Sequence, residues 1–263
     1  MGIFNFWKKK KLPENDLPAP QTIDIIENAV YAHLKPLGFR KHGRTLHRFV
    51  SGDISQVIHF QLAAFPDAPS GCVGVNLGIR IPECAQRLSP SETELKKYYP
   101  EYTCTIRSRL GYAKCKRDNW YDLSKNTDMI IQQMLEEIDQ YVLPAFEALS
   151  SREAILANRR SYPLFDVIGS NLILLDECMI YRHLGDIEKA KACFDAYYQK
   201  AVDQYHREMT QGTKHYLKKG ERIVYMDQDI TATEDGYVTV YGGNHAHIDY
   251  LDDLAVKLGI RES

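Results

Sequence analysis

The residues whose types and spacing could most directly support chemistry are His245, His247 and Asp249, near the end of the chain. On an extended strand, side chains two residues apart project to the same face, so these three groups would converge. Two imidazoles and a carboxylate are suitable ligands for zinc or iron. The same segment precedes a predicted helix, so Asp249 is equally explained as a capping residue and the histidines as loop residues. A metal-dependent enzyme is therefore the alternative hypothesis.

Local signatures of the common catalytic sites do not occur in the sequence. It contains no Gly-x-Ser-x-Gly elbow, no Walker loop, no glycine-rich dinucleotide turn and no His-Glu-x-x-His sequence. The catalytic residues are therefore unknown, and we expect no cofactor. Groups that come together from distant positions leave no local motif, so an enzymatic activity stays open.

Basic residues are concentrated in two segments that contain no acidic residue, 35–48 and 107–117. By contrast, residues 126–155 hold six acids and one base, and residues 221–262 hold nine acids and three bases. If the two basic segments converge, they form a patch that attracts an acidic partner. If they pair with the acidic segments, the charges are neutralised within the molecule. The candidate binding residues of the patch are Arg44, Arg48, Arg107 and Arg109.

A protein is the expected partner of such a patch. The formal net charge is −2, and aromatic residues do not alternate with basic ones as in known nucleic-acid modules, which argues against a nucleic acid. Tyrosine is abundant, with 17 residues, and is enriched at protein interfaces. Tyr197 and Tyr198 are therefore secondary binding candidates. The leading hypothesis is a non-enzymatic module that binds an acidic protein, and an immunity-type inhibitor is one form of it; the oligomeric state is unknown.

Hydrophobic patterns predict an α+β fold, an antiparallel sheet packed with helices and followed by a helical hairpin region with a small β element. The first helix shows apolar residues at spacings of three and four, with Thr22 as its N-cap. Pro144 is expected to kink or divide a long helix. The predicted elements are a helix over 23–37, strands over 45–50, 54–64, 73–81 and 102–110, a helix from about 126 to 149, a helical hairpin over 172–209, a β-hairpin of 220–226 with 237–241, and a helix over 248–258.

The strand over 73–81 has an unusual second face. Its apolar residues alternate strictly, and Gly74 and Gly78 leave the other side almost bare. Bare backbone in a strand indicates the close approach of another element or of a ligand. We expect a closely packed helix there.

Several segments together resemble a known family. They are LKPLGFRKHGRTLHRF, VIHFQ, VNLGI, IRSRLG and NWYDL, within residues 22–150. Together these segments resemble an uncharacterised bacterial family, domain of unknown function four-three-zero-four. The resemblance implies an α+β domain of the bacterial cytoplasm and no established activity.

A second resemblance concerns the helical hairpin. Tyr181, Gly185, Ala190 and Phe194 resemble a single tetratricopeptide repeat, although Tyr197 stands where a small residue is usual. Such repeats need about three neighbours to bury their faces, so we expect this hairpin to pack on the rest of the protein. The predicted organisation is a basic disordered tail over 1–20, an α+β domain over 21–150 and a helical hairpin region over 151–263.

Composition predicts a cytoplasmic protein. The hydrophobic fraction of 44% is typical of globular proteins, and no apolar run reaches the ~18 residues of a membrane span. The six cysteines form no Cys-x-x-Cys pair, which favours a reducing compartment. Aromatic residues beside lysines in segment 3–11 could contact an anionic membrane surface, or the segment could be a solubilising leader.

Overall fold

The computed structural model describes residues 17–65, 68–86, 96–166, 172–225, 228–243 and 245–261. The chain divides into two compact units, Met1–Asn171 and Leu172–Ser263. The segment 3–11 with its predicted membrane contact lies outside the described residues, as does most of the predicted tail. Among the helices of the described part, none is both long enough and apolar enough to cross a membrane.

An antiparallel sheet forms the centre of the first unit, and its strands follow the order β1-β2-β3-β4-β5, with β6 also paired to β4. This arrangement of sheet and helices confirms the predicted α+β class. The β2–β3 hairpin turns at Ser51 and Gly52, both with positive φ, as the sequence predicts. The strands are β1 (Arg40–His42), β2 (Thr45–Val50), β3 (Ile54–Phe65), β4 (Ala68–Arg80), β5 (Ile106–Arg109) and β6 (Tyr121–Asp122).

One face of this sheet carries the main apolar core. Leu46, Ile58 and Leu77 are fully buried there and lie side by side across β2, β3 and β4. Helix α1 (Ala19–Leu34) packs on this face through a stripe that includes Ile26. It begins earlier than predicted, so Thr22 lies inside it and donates to the Pro18 carbonyl (3.3 Å) instead of capping it. Hydroxyl donation to a backbone carbonyl four residues back is a common alternative for threonine in a helix.

The predicted long helix is present in two parts. Asn126 caps α4 (Thr127–Glu137) by accepting from the Met129 amide at 3.1 Å. One π-helical turn then separates it from α5 (Leu143–Ala148), which contains Pro144 near its start. Proline lacks an amide donor and cannot continue an unbroken helix, so the expected division is confirmed.

The first unit extends beyond the boundary near 150 that the sequence suggested. Helix α6 (Arg152–Asn158) belongs to it, because Arg152 is bonded to Glu83 and Asp53 at 2.8–2.9 Å. Phe165 packs edge-on against Phe146 at 5.4 Å. These contacts hold the segment after 150 on the first unit. The remaining short helices of this unit are α2 (Pro82–Gln86) and α3 (Leu110–Cys115), with 3₁₀ turns at Lys35–Leu37, Glu101–Thr103, Arg159–Ser161 and Pro163–Phe165.

The second unit contains the predicted helical hairpin, α7 (Ile173–His183) and α8 (Ile187–Thr210), and a last helix, α9 (His245–Lys257). The predicted β-hairpin is wrong in its pairing, because the sequence patterns missed two strands. β8 pairs with β9, and β10 pairs with β7. The strands are β7 (Thr213–Leu217), β8 (Arg222–Tyr225), β9 (Gln228–Thr231) and β10 (Gly236–Val240).

Candidate anion-binding cleft

The register of the central sheet sorts the side chains onto two faces. Paired residues share a face, so His47, Val57, Gly78 and Arg107 form one row across β2 to β5. This row lies opposite the face that packs on α1. Because neighbouring residues of a strand alternate, Arg48 lies on the α1 face. Arginines of the predicted patch are therefore divided between the two faces of the sheet.

Both arginines near the start of β2 are engaged by the protein itself. Arg44 lies 3.3 Å from Glu27 and 3.8 Å from Asp24 in α1. Arg48 donates to Gln56 at 2.7 Å, and its guanidinium lies 4.8 Å from the centre of the Phe39 ring. Neither presents a free charge to a partner.

The two arginines of β5 are engaged in the same way on the other face. Arg107 donates to Glu101 at 2.8 Å. Arg109 pairs with Asp118, donates to Asn76 at 2.9 Å and lies over Trp120. The four predicted residues therefore do not form one patch, since carboxylates and amides of the first unit already hold them. This corrects the predicted convergence, and the binding role of these residues stays a prediction.

The two glycines of β4 are covered by loop residues and not by the expected helix. A Cβ at Gly74 would lie 2.9 Å from the Trp120 ring, and one at Gly78 would lie 2.6 Å from the Cys104 sulfur. Both distances are shorter than real contacts, so only glycine lets these side chains lie against the strand. Trp120 and Cys104 thus cover the centre of this face.

A cleft of about 520 Å³ opens on the same face at the β1–β2 edge of the sheet. Four of its eight lining residues are lysine or arginine, and none of the described lining residues is acidic. The lining residues are Arg40, Lys41, His42, His47, Phe49, Lys96, Lys97 and Tyr98.

Side chains alternate between the two faces of β1, so only some of its cations face the cleft. Arg40 pairs in register with His47, which places both on the cleft face. Lys41 points to the other face, where it lies 3.3 Å from Glu27 and donates to Asn28 at 2.7 Å. Arg40 and Lys97 are exposed, and within the described chain neither has an ion-pair partner. They are the cations available to a ligand.

Aromatic rings form the wall between these cations. The rings of His42 and Tyr98 stack with centres 3.6 Å apart, and Phe49 meets Tyr99 edge-on at 6.2 Å. The amide of Lys96 donates to the Tyr99 hydroxyl at 2.9 Å. These contacts fix the segment after residue 95 against β1 and β2, so the cleft is positioned by packed side chains.

His47 lines the cleft and is 5% exposed. Its Nδ1 is buried and has no hydrogen-bond partner among the described residues. Burial lowers the pKa of His47, and the nearby charges of His42 and Arg40 lower it further. A positive charge on this imidazole is therefore disfavoured unless an anion lies beside it.

The tyrosines predicted to bind a partner pack instead against the end of the second unit. Tyr198 lies beneath Arg261, whose guanidinium is 4.1 Å from the ring centre. The Tyr197 hydroxyl lies 3.3 Å from Nε2 of His247 in α9. Both side chains therefore join α8 to the C-terminal segment.

The predicted metal site lacks the strand on which it depended. His245 and His247 lie in α9, where residues two apart point to different sides. His245 pairs with Asp249 at 3.1 Å, one helical turn away, and His247 lies beside Tyr197. Within the described residues, no three His, Cys, Asp or Glu side chains are grouped to hold a metal ion. The prediction of convergence was wrong because the helix begins earlier than expected.

Comparison with known families places the cleft in a recognised domain. Residues 30–148 match the family model described as Domain of unknown function (DUF4304). This confirms the family resemblance inferred from the sequence, and the lining residues of the cleft lie inside the matched DUF4304 region. The tetratricopeptide resemblance of the hairpin in the second unit is not confirmed. No curated protein and no solved structure matches the chain significantly.

Proposed function

We propose that this protein is a non-enzymatic binding module whose cleft holds an acidic segment of a partner protein. The observation that carries the proposal is a cleft whose described lining contains no acid and includes two exposed cations, Arg40 and Lys97, that have no ion-pair partner among the described residues. The positive field of such a concave site attracts anions and strengthens their binding.

The cations of the cleft differ from three of the arginines in the predicted patch in their charge balance. Arg44, Arg107 and Arg109 each have a carboxylate of the same unit beside them. An acidic group of a partner would have to displace an existing ion pair at those positions. Such a surface pair stabilises the protein by only about 0–1 kcal/mol, but the arginine already has a carboxylate in contact. At Arg40 and Lys97 no such competition arises from the described residues.

A partner protein would use the cleft as an anchor point. Stable protein interfaces bury about 1,200–2,000 Å² in total, which is more than a single cleft provides, and a few central residues carry most of the binding energy. The surrounding exposed surface of β1 and Lys96 would supply the rest of the contact. This is a binding role, and it needs no catalytic group.

The test is a calorimetric titration of the full chain with a hexaglutamate peptide, with hexaglutamine as the neutral probe. We expect hexaglutamate to bind and hexaglutamine not to bind. The double variant Arg40→Ala, Lys97→Ala should weaken hexaglutamate binding by about tenfold or more, corresponding to roughly 1.4 kcal/mol. Its matched control is Arg207→Ala, Lys200→Ala, which removes the same two residue types from exposed positions of α8.

Two outcomes of these titrations would contradict the proposal. Equal loss of binding in the two double variants would show only a response to net charge. Equal binding of hexaglutamine would show that the cleft does not recognise anions. Addition of salt should weaken hexaglutamate binding in the wild-type chain, because the Debye length falls to about 3 Å at 1 M.

A further inference from the structure

The walls of the cleft are richer in rings than a site for aspartate or glutamate side chains requires. Phe49 and Tyr98 line it together with the imidazoles of His42 and His47, and the cations Arg40, Lys96 and Lys97 surround them. A short acidic side chain could meet the cations while leaving the ring surfaces uncovered. A ligand that covers both must carry its charge on an apolar, flat body.

The charge of the site exceeds what one carboxylate would balance. Two exposed cations without an ion-pair partner among the described residues, Arg40 and Lys97, line the cleft, and no acid stands among its described lining residues. A phosphate monoester carries a charge of about −1.5 to −2 at neutral pH and three acceptor oxygens. The guanidinium of Arg40 can donate two parallel hydrogen bonds to it, which a lysine cannot do.

The size of the site and its rings fit the same ligand. The volume of about 520 Å³ lies within the range of pockets that enclose small organic ligands. The rings of Phe49 and Tyr98 offer surfaces for edge or offset stacking with a flat ligand.

These observations rest on the proposed function and narrow its ligand. We infer that the cleft accepts a planar ring that bears a phosphate, with the ring against Phe49 and Tyr98 and the phosphate between Arg40 and Lys97. Phosphotyrosine in a partner protein and a nucleoside monophosphate share this chemistry.

The test compares simple probes by calorimetry on the full chain. Phenyl phosphate carries both features, inorganic phosphate lacks the ring, and benzoate replaces the phosphate by a carboxylate. We expect phenyl phosphate to bind about tenfold or more tightly than either of the other two. Equal binding of phenyl phosphate and inorganic phosphate would overturn the role of the ring, and equal binding of benzoate would overturn the role of the phosphate.

Variants locate the two parts of the ligand. Tyr98→Leu should weaken phenyl phosphate while leaving inorganic phosphate unchanged, and Arg40→Ala should weaken both. Tyr102→Leu is the matched control, because Tyr102 is 72% exposed, close in sequence and not among the lining residues. If Tyr102→Leu weakens phenyl phosphate as much as Tyr98→Leu does, the ring does not lie in the cleft.

Two further arms separate this inference from the proposed function and identify the source of the phosphate. Binding of hexaglutamate without any preference for phenyl phosphate would leave the proposed function standing and refute the inference. Binding of phenyl phosphate without binding of hexaglutamate would support the inference and refute an acidic segment as the ligand. A phosphotyrosine peptide that binds more tightly than adenosine monophosphate assigns the ligand to a protein, and the opposite order assigns it to a nucleotide.

Discussion

At the level of single residues, side chains that look equivalent in the sequence have different roles. Arg40 and Arg107 are both arginines in short basic segments, but only Arg107 has a carboxylate partner, Glu101, which is 7% exposed. The sequence shows the basic segment but not which of its arginines are already paired, because pairing partners from distant positions cannot be inferred from local charge. The cleft residue Tyr98 was missed for the same reason, although the run Lys96-Lys97-Tyr98-Tyr99 places cations beside aromatic rings.

The contrast between these arginines gives the first prediction. Arg107→Ala should lower the free energy of unfolding by about 2 kcal/mol, because it leaves the buried carboxylate of Glu101 without its donor. Hexaglutamate binding should not change. Chemical denaturation and calorimetry measure the two effects, and Arg207→Ala should stay within about 0.5 kcal/mol of the wild-type stability. Loss of binding without loss of stability in Arg107→Ala would restore the arginine patch as the binding site.

The glycines of β4 give a second prediction at this scale. Gly78→Ala should destabilise the protein by about 1–3 kcal/mol, because the added methyl group would overlap the Cys104 side chain. Gly236→Ala is the matched strand control, since a Cβ there meets nothing within 4 Å among the described residues. Thermal or urea unfolding of both variants checks the difference. Equal stability of the two would mean that the loop carrying Cys104 moves aside at little cost.

At the level of helices and strands, periodic patterns identified most elements and failed to identify some pairings. The alternation over 73–81 and the helical spacing after Asn126 predict real elements, because burial of one face imposes that period. The exposed strands β7 and β9 escaped detection, because neither buries a regular face. The strand register gives a second reason for the wrong pairing. Leu217 pairs with Gly236 and Arg222 pairs with Thr231. The four strands therefore form one long hairpin that is interrupted by four residues on each side.

The N-cap of α4 can be tested directly by substitution. Asn126→Ala should cost about 1 kcal/mol of stability, because the amide of Met129 loses its acceptor. Asn126→Asp should retain most of the wild-type stability, since aspartate caps equally well and is favoured near a helix N-terminus. Urea denaturation separates the variants. If alanine and aspartate cost the same, the cap contributes nothing to the fold.

In the second unit, the side chain of Gln228 links the long hairpin to the residue that follows β10. Gln228, at the start of β9, donates to the carbonyl of Tyr241 and accepts from its amide at 3.0 Å. Gln228→Ala should release this contact and raise amide hydrogen exchange in β8 and β9. Gln204→Ala, on an exposed face of α8, is the control. Unchanged exchange in β8 and β9 would show that the strand pairing alone holds this hairpin.

At the level of the whole molecule, ion pairs within the first unit engage three arginines of its basic segments and leave Arg40 without a carboxylate partner among the described residues. The formal net charge of −2 conceals basic segments whose arginines pair with Glu27, Glu101 and Asp118. Composition therefore excludes a strongly basic nucleic-acid binder but says nothing of where positive charge stays uncompensated. That property depends on strand register, which places Arg40 beside His47 and sends Lys41 to α1.

The histidines of the sheet make the stability of the protein depend on pH. Burial, the largest cause, lowers the pKa of both His47 and His59 below the ordinary histidine value of about 6.5. The unfolded chain then binds more protons than the folded chain, so the stability that these groups contribute is complete above about pH 6.5 and is lost as the pH falls toward their folded pKa values. Urea denaturation at several pH values between about 5.5 and 7.5 should show the decline.

The His59→Gln variant should flatten this decline, because it removes one of the two groups. The number of protons taken up on unfolding should fall by up to about one. Glutamine can still bond to the Thr45 hydroxyl, which lies 3.0 Å from Nδ1 of His59. Phenyl phosphate should flatten the decline as well, because a bound phosphate favours the protonated form of the neighbouring His47. A pH dependence that is identical in the wild type, in His59→Gln and in the presence of phenyl phosphate would contradict both the buried state of these histidines and the position of the phosphate beside His47.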